Sequence, residues 1–198
     1  MGSDANRLRK KWQDYSGKNA GVAEHDFFEA FNIVFDDTNL EIRRPKEFKK
    51  AYLDIKLSKK EQSEIYIPDK PINWHGILPD YAIDNVDTEK TIYIEVKRQD
   101  GWIEGGKRSD GRGNAHERSC KYFTPGLLKI LRKKGGLGDN VLPFWTVFQG
   151  NVTRDPLRVR EITCWFDEYK AHYFFWRNSK NPASLIEHFE EHIKPLLE

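Results

Sequence analysis

Asp80, Glu95 and Lys97 lie in one short stretch, ILPDYAIDNVDTEKTIYIEVKRQDGW at 77–102, and can do chemistry together. Hydrolysing a phosphodiester needs a nucleophilic water, an in-line approach, and positive charge to offset what develops on the phosphate oxygens. Asp80 and Glu95 could hold one or two Mg²⁺ ions, a hard cation that takes oxygen ligands and keeps several waters, and the Val96 carbonyl could add a ligand. Lys97 would then orient the attacking water and help stabilise its hydroxide form. The competing account is a surface strand with Glu and Lys on its wet face, because Pro-Asp followed by Glu-x-Lys often arises by chance. Against it, Glu95 and Lys97 interrupt a strongly apolar strand, where two charges need a reason to be kept.

These residues must be positioned by a strand, a turn and a strand. In TIYIEVK (91–97), Thr91, Tyr93, Glu95 and Lys97 share one face and Ile92, Ile94 and Val96 the other, since side chains alternate along a strand. Ile77 to Asp84 is bounded by Gly76 and the turn-prone Asn85-Val86-Asp87-Thr88 and reads as the partner strand. Pairing the two as a hairpin returns Glu95 to the neighbourhood of Asp80.

Around this pair the chain alternates helices and strands. Residues 22–35 space Val22, Phe27, Phe28, Phe31, Val34 and Phe35 as an amphipathic helix, whose Glu24 and Glu29 could face an active site but are expected in solvent. The charged stretch 43–70 suggests one or two peripheral helices, without a function. After the flexible EGGKRSDGRG, Asn114 caps a helix with Glu117 as its capping-box partner. Thr124-Pro125-Gly126 ends or kinks it, and Pro125 opens a second helix that stops at Gly135-Gly136. VLPFWTVF (141–148) is of buried-strand type. Asp155-Pro156 caps a helix to about Phe166, HYFFW (172–176) is a strand, and Asn181-Pro182 caps a last helix carrying Leu185, Phe189 and Ile193. The expectation is a single α/β domain over 1–198, with a central mixed β-sheet flanked by helices.

At 198 residues with 32% charged and 13% aromatic residues, the composition is globular and soluble. No stretch approaches the ~20 apolar residues of a membrane span, and MGSDANRLRKKW lacks the apolar run of a signal peptide, so the expected location is the cytoplasm. Cys120 and Cys164 are expected to be reduced, buried thiols. A net charge of +2 does not by itself predict nucleic-acid binding, but Lys107, Arg108, Arg112, Arg118 and Lys121 cluster, with Lys129, Arg132, Lys133 and Lys134 behind them. A solvated helix face would look the same.

GRGNAHERS (111–119) is the more specific signal. Arginine can fork onto guanine O6 and N7, and asparagine can pair with adenine N6 and N7, so Arg, Asn and Arg at a helix start suit major-groove reading. An Asn-capped helix with surface arginines is the plainer alternative. Asp80, Glu95 and Lys97 followed by Gly-Asn-Ala-x-Glu-Arg at 113–118 resemble the EcoRI/MunI family of type II restriction endonucleases. IEVKRQDGW and GRGNAHERSCKYFTPGLLK resemble especially its CAATTG-cutting branch, with the likeness close from about 77 to 177, through LPFWTVFQGNVTRDPLRVREIT, and looser at both ends.

That resemblance implies a restriction-endonuclease-like PD-(D/E)xK core, with catalytic strands at about 77–97 and a recognition segment at about 105–122. It implies Asp80 and Glu95 as metal ligands and Lys97 as the catalytic lysine. It makes Asn114, Ala115 and Arg118 the readers of the inner AATT bases, Gly113 part of their motif, and Glu117 a brace for Arg118. The CAATTG cutters share an arginine at the position of Arg112, linked to the outer base pair. It further implies a homodimer on a palindromic duplex, 5′ AATT overhangs and a companion DNA methyltransferase. A repair nuclease would keep Asp80, Glu95 and Lys97 without needing Arg112 to Arg118, and a non-catalytic DNA-binding module would do the reverse. Both sets occur in this chain.

Overall fold

The predicted hairpin is the centre of a five-stranded mixed sheet. The computed structural model describes residues 21–100 and 116–198. Strand β2 (Tyr81–Asn85) pairs antiparallel with β3 (Lys90–Arg98), Tyr81 lying opposite Ile94. The expected strand over 77–84 thus begins at 81, because Pro79 has no N–H for a ladder and Ile77 gives its own N–H to Phe48 O at 3.2 Å. Between the strands, Asn85 Oδ1 accepts from the backbone N–H groups of Asp87 and Thr88, which closes the turn.

An edge strand that the sequence reading missed, β1 (Leu40–Arg43), lies antiparallel on the far side of β2. On the other side β4 (Phe144–Gln149) runs parallel to β3, and β5 (Tyr173–Trp176) parallel to β4, giving the order β1-β2-β3-β4-β5. The stretch 43–70 holds turns and one short exposed helix, α2 (Lys59–Glu64), capped by Ser58 and Glu61.

Helices cover both faces. On one, the helix at 21–34 (α1) packs Ala23, Phe27 and Phe31 against Ile92, Ile94, Val96, Trp145 and Val147. Val22 is half exposed, so the apolar face of α1 starts at Ala23. The chain's last turns join this layer: α5 (Ala183–His188), a π-turn (Phe189–Ile193) and α6 (Lys194–Leu197). Leu197 O accepts from Asn85 Nδ2 at 3.1 Å and Thr88 Oγ1 at 2.5 Å, so the far end of the chain holds the β2–β3 turn.

On the opposite face, α3 (Pro125–Gly135) and α4 (Pro156–Phe166) bury Leu127, Leu131, Ile162 and Phe166 over Tyr93, Phe144 and Phe148. Gly136 ends α3 at φ 64°, a left-handed position that suits glycine, and Asp155 caps α4 by accepting from the N–H groups of Leu157 and Arg158. His116–Phe123, expected as an α-helix, is a 3₁₀ helix. Ser119 Oγ donates to His116 O and Thr124 Oγ1 to Lys121 O, three residues back in each case, and Pro125 has no N–H to extend an α-helical ladder. Asn114, its predicted cap, lies outside the described residues. Both cysteines are free, but Cys164 is exposed rather than buried, on the side of α4 away from Ile162 and Phe166.

Candidate active site

The register of the hairpin brings the predicted residues together. Asp80, just before β2, accepts the Val96 N–H at Oδ2, 2.8 Å away, across the strand pair. Glu95 and Lys97 point from β3 to the α3–α4 face, and Lys97 Nζ lies 2.6 Å from Glu95 Oε1 and 3.4 Å from Asp80 Oδ2. It also donates to Val96 O at 3.2 Å. One cation therefore sits on three oxygens, a carboxylate oxygen from each acid and a backbone carbonyl.

β3 is buried on both faces, which places Glu95 at 4% exposure instead of on a wet surface. Tyr122, in the 3₁₀ helix, donates its hydroxyl to Glu95 Oε2 at 2.7 Å. Burial, and then the charge of Glu95, hold the Tyr122 hydroxyl well above its ordinary pKa, so it remains a proton donor. Its role had no signal in the sequence, because only the fold carries residue 122 over residue 95.

Burial, followed by repulsion from Glu95, pushes Asp80 up to about 6 against the opposing pull of Lys97 and the Val96 N–H. Burial alone would lower the Lys97 ammonium, but Glu95 and Asp80 outweigh it and raise its pKa, so it is charged. A third carboxylate stands behind the pair: Glu24 of α1, expected in solvent, is largely covered and lies 3.6 Å from Arg44. Its charge adds a smaller upward push on Asp80. Glu29 is exposed as expected. Arg44 stacks over the Tyr81 ring at 5.1 Å and donates to its hydroxyl.

These oxygens have the chemistry of a hard-cation site, and the Lys97 ammonium marks where positive charge is accepted. Among the described residues there is no cluster of three or more His, Cys, Asp or Glu that could by itself hold a metal ion.

Of the predicted base readers, Glu117 and Arg118 are exposed at the start of the 3₁₀ helix, and no ion pair joins them among the described residues. Arg112, Gly113, Asn114 and Ala115 lie outside the described residues. Behind them, Arg132 of the basic cluster donates Nε to Val141 O at 3.1 Å and so has a structural task. Trp74 is exposed and the His75 ring meets Tyr52 edge-on.

A mixed sheet whose antiparallel hairpin sets a Pro-Asp carboxylate against a Glu-x-Lys strand, with helices on both faces, defines the restriction-endonuclease-like nucleases. Within that class the chain belongs to the MunI family of type II restriction enzymes, whose family model, "Type II restriction enzyme MunI", matches residues 1–198. It is 46% identical over 202 residues to the type II restriction enzyme MunI of a Mycoplasma species, the alignment covering all of both chains. Its fold superposes with a TM-score of 0.81 on the crystal structure of MunI restriction endonuclease in complex with cognate DNA, at 46% identity over 94% of this chain and 97% of that one. The chain is a type II restriction endonuclease, a site-specific deoxyribonuclease. No helix among its described residues is long and apolar enough to cross a membrane.

Proposed function

We propose that this endonuclease binds duplex DNA as a cytoplasmic homodimer and, with Mg²⁺, cuts the palindrome CAATTG after its first base, leaving 5′ AATT overhangs. The observation that carries the catalytic part is the convergence of Asp80, Glu95 and the Val96 carbonyl on a single positive charge. When bound, Mg²⁺ stabilises charge on the phosphate oxygens and lowers the pKa of a water. Asp80, Glu95 and the Val96 carbonyl would hold the ion, and Tyr122 fixes the Glu95 carboxylate by occupying its other oxygen. With the carboxylates engaged, Lys97 orients the attacking water and stabilises its hydroxide form.

Recognition falls to the neighbouring segment. Asn114, Ala115 and Arg118 read the inner AATT bases within the Gly113-containing motif, Glu117 braces Arg118, and Arg112 reads the outer guanine. One such segment can read only a half-site, so a palindrome calls for two copies related by a two-fold axis. Support for the duplex partner comes from MunI, solved with its cognate DNA. A host carrying this enzyme needs a methyltransferase for the same site.

The test is a Mg²⁺ digest of one plasmid carrying single CAATTG and GAATTC sites, with the ends sequenced. Cutting confined to CAATTG supports the catalytic set and the base readers together. Cutting at both sites overturns the role of Arg112, and no cutting overturns the proposed cofactor and site.

A further inference from the structure

β3 ends at Arg98, and the next side chain, Gln99, meets His116 in the interior; the two are 7% and 0% exposed. Gln99 Oε1 lies 2.9 Å from His116 Nδ1 and accepts the His116 backbone N–H at 3.4 Å. The other ring nitrogen faces Glu161 Oε2 of α4 at 3.3 Å, and Glu161 is in turn held by Arg158 Nη1 at 2.6 and 2.9 Å. The ring stacks on Trp165 with centroids 5.5 Å apart and planes 14° off parallel.

Gln99 is itself fixed. Its N–H donates to Gln149 O, and its carbonyl accepts from Val152 N–H. Gly150 crosses it at φ 82°, where a Cβ would come within 2.7 Å of Gln99 O and 2.5 Å of Asp100 Oδ1, so only glycine lets the chain pass.

Burial, then the Arg158 charge, lowers the His116 pKa, and a neutral ring has one N–H to give. A neutral ring gives its one N–H either from Nδ1 to Gln99 Oε1, which also accepts the His116 backbone N–H, or from Nε2 to Glu161. A packing histidine needs none of this, since phenylalanine would fill the space and stack on Trp165 without the buried polar atoms of His116 and Gln99 to satisfy.

The position in the chain supplies the function. Gln99 follows Lys97 by two residues, His116 directly follows Asn114 and Ala115, and Arg118 comes two residues later. We propose that His116, gripped by Gln99 and Glu161, is a positioning residue that sets the base-reading segment in register with the catalytic strand, so that correct base contacts and correct placement of the scissile phosphate occur together. The proposal rests on the reading of 112–118 as the base readers.

The experiment compares wild type with His116→Phe, which keeps the ring and its stacking, and with Gln99→Leu, and combines the two changes. Single-turnover cleavage is measured at the cognate site and at a site with one inner base pair changed, alongside Tm and affinity for non-specific DNA. Each single variant is expected to lower the cognate-to-altered rate ratio about tenfold or more, with Tm and non-specific affinity nearly unchanged, and the double variant to lose no more than either single one. A ratio within about twofold of wild type, or equal rate losses at both sites, overturns the proposal; if His116→Phe does not fold, Gln99→Leu decides alone. Wild type that does not prefer CAATTG would instead refute the proposed specificity, and the clamp would be read at the sequence the enzyme does cut.

Discussion

The catalytic pocket and the start of the recognition segment hang from the same strand but are held by opposite means. Asp80 and Lys97 are 17 residues apart and meet because an antiparallel register leaves them nowhere else to go, with a backbone N–H, Val96, completing the grip. His116 is fixed by the Gln99 side chain just past β3, by Glu161 of α4 and by a stack on Trp165, with one long bond from its own backbone N–H at 3.4 Å. Backbone register tolerates side-chain change, so chemistry rests on the element hardest to deform. If His116 aligns the base readers as proposed, specificity rests on contacts that a few substitutions can alter, and it can shift while the hydrolytic machinery stays in place.

Breaking the pocket should have the largest effect. Asp80→Ala should reduce single-turnover cleavage by about 10²–10⁴-fold or more while specific DNA binding survives, as judged by gel shift beside the rate. Unchanged cutting would remove Asp80 from the site. Tyr122→Phe deletes one hydroxyl next to Glu95; a hydrogen bond to a carboxylate is worth about 1.5–3 kcal/mol, so cleavage should fall roughly tenfold to a hundredfold with binding intact. An equal loss in binding would make Tyr122 part of the DNA surface instead.

On the recognition side, Arg112→Ala should cost about 1–3 kcal/mol of selection at the outer base pair, measured as relative cleavage of CAATTG and GAATTC. Equal losses on both would make Arg112 a phosphate contact. The last effect concerns stability, and it sharpens the contrast. Burial and the Glu95 charge push Asp80 from an ordinary 3.8 up to about 6, so folding takes up a proton in that window and stability falls as the pH rises through it. Above pH 6 the ionised carboxylate is a cost, and Asp80→Asn should stabilise the inactive protein by about 1–3 kcal/mol at pH 8 and by little at pH 4. A denaturant melt that gives the same increment at both pH values would rule out the carboxylate charge as its source.

Much of this was legible in the chain because local chemistry and fold agreed. Alternation in 91–97, the turn at 85–88, Pro125 and Gly136 around α3, and Asp155-Pro156 before α4 each name an element by its own residues. β1 was not legible, since four residues, LEIR, carry too little pattern and its ladder is defined by β2. Tyr122, Gln99 and Glu161 were missed for a related reason: their partners lie 27, 17 and 45 residues away, and nothing in their spacing announces a contact. Val22 and Cys164 show the limit of hydropathy, which marks what can be buried without deciding which side of a helix is.

The turn between the two catalytic strands has a history in time as well as a place in space. Its anchors, Asn85 and Thr88, wait for a carbonyl 112 and 109 residues further on. At about 5–20 residues per second, a ribosome takes some 5–20 s to deliver that partner after the hairpin itself has been made. Until then the hairpin lacks the C-terminal helices that cover one side of it and pin its turn, so the growing chain has no finished cutting centre. An enzyme whose product would be broken chromosomes thus acquires its working pocket only after some hundred further residues have been made.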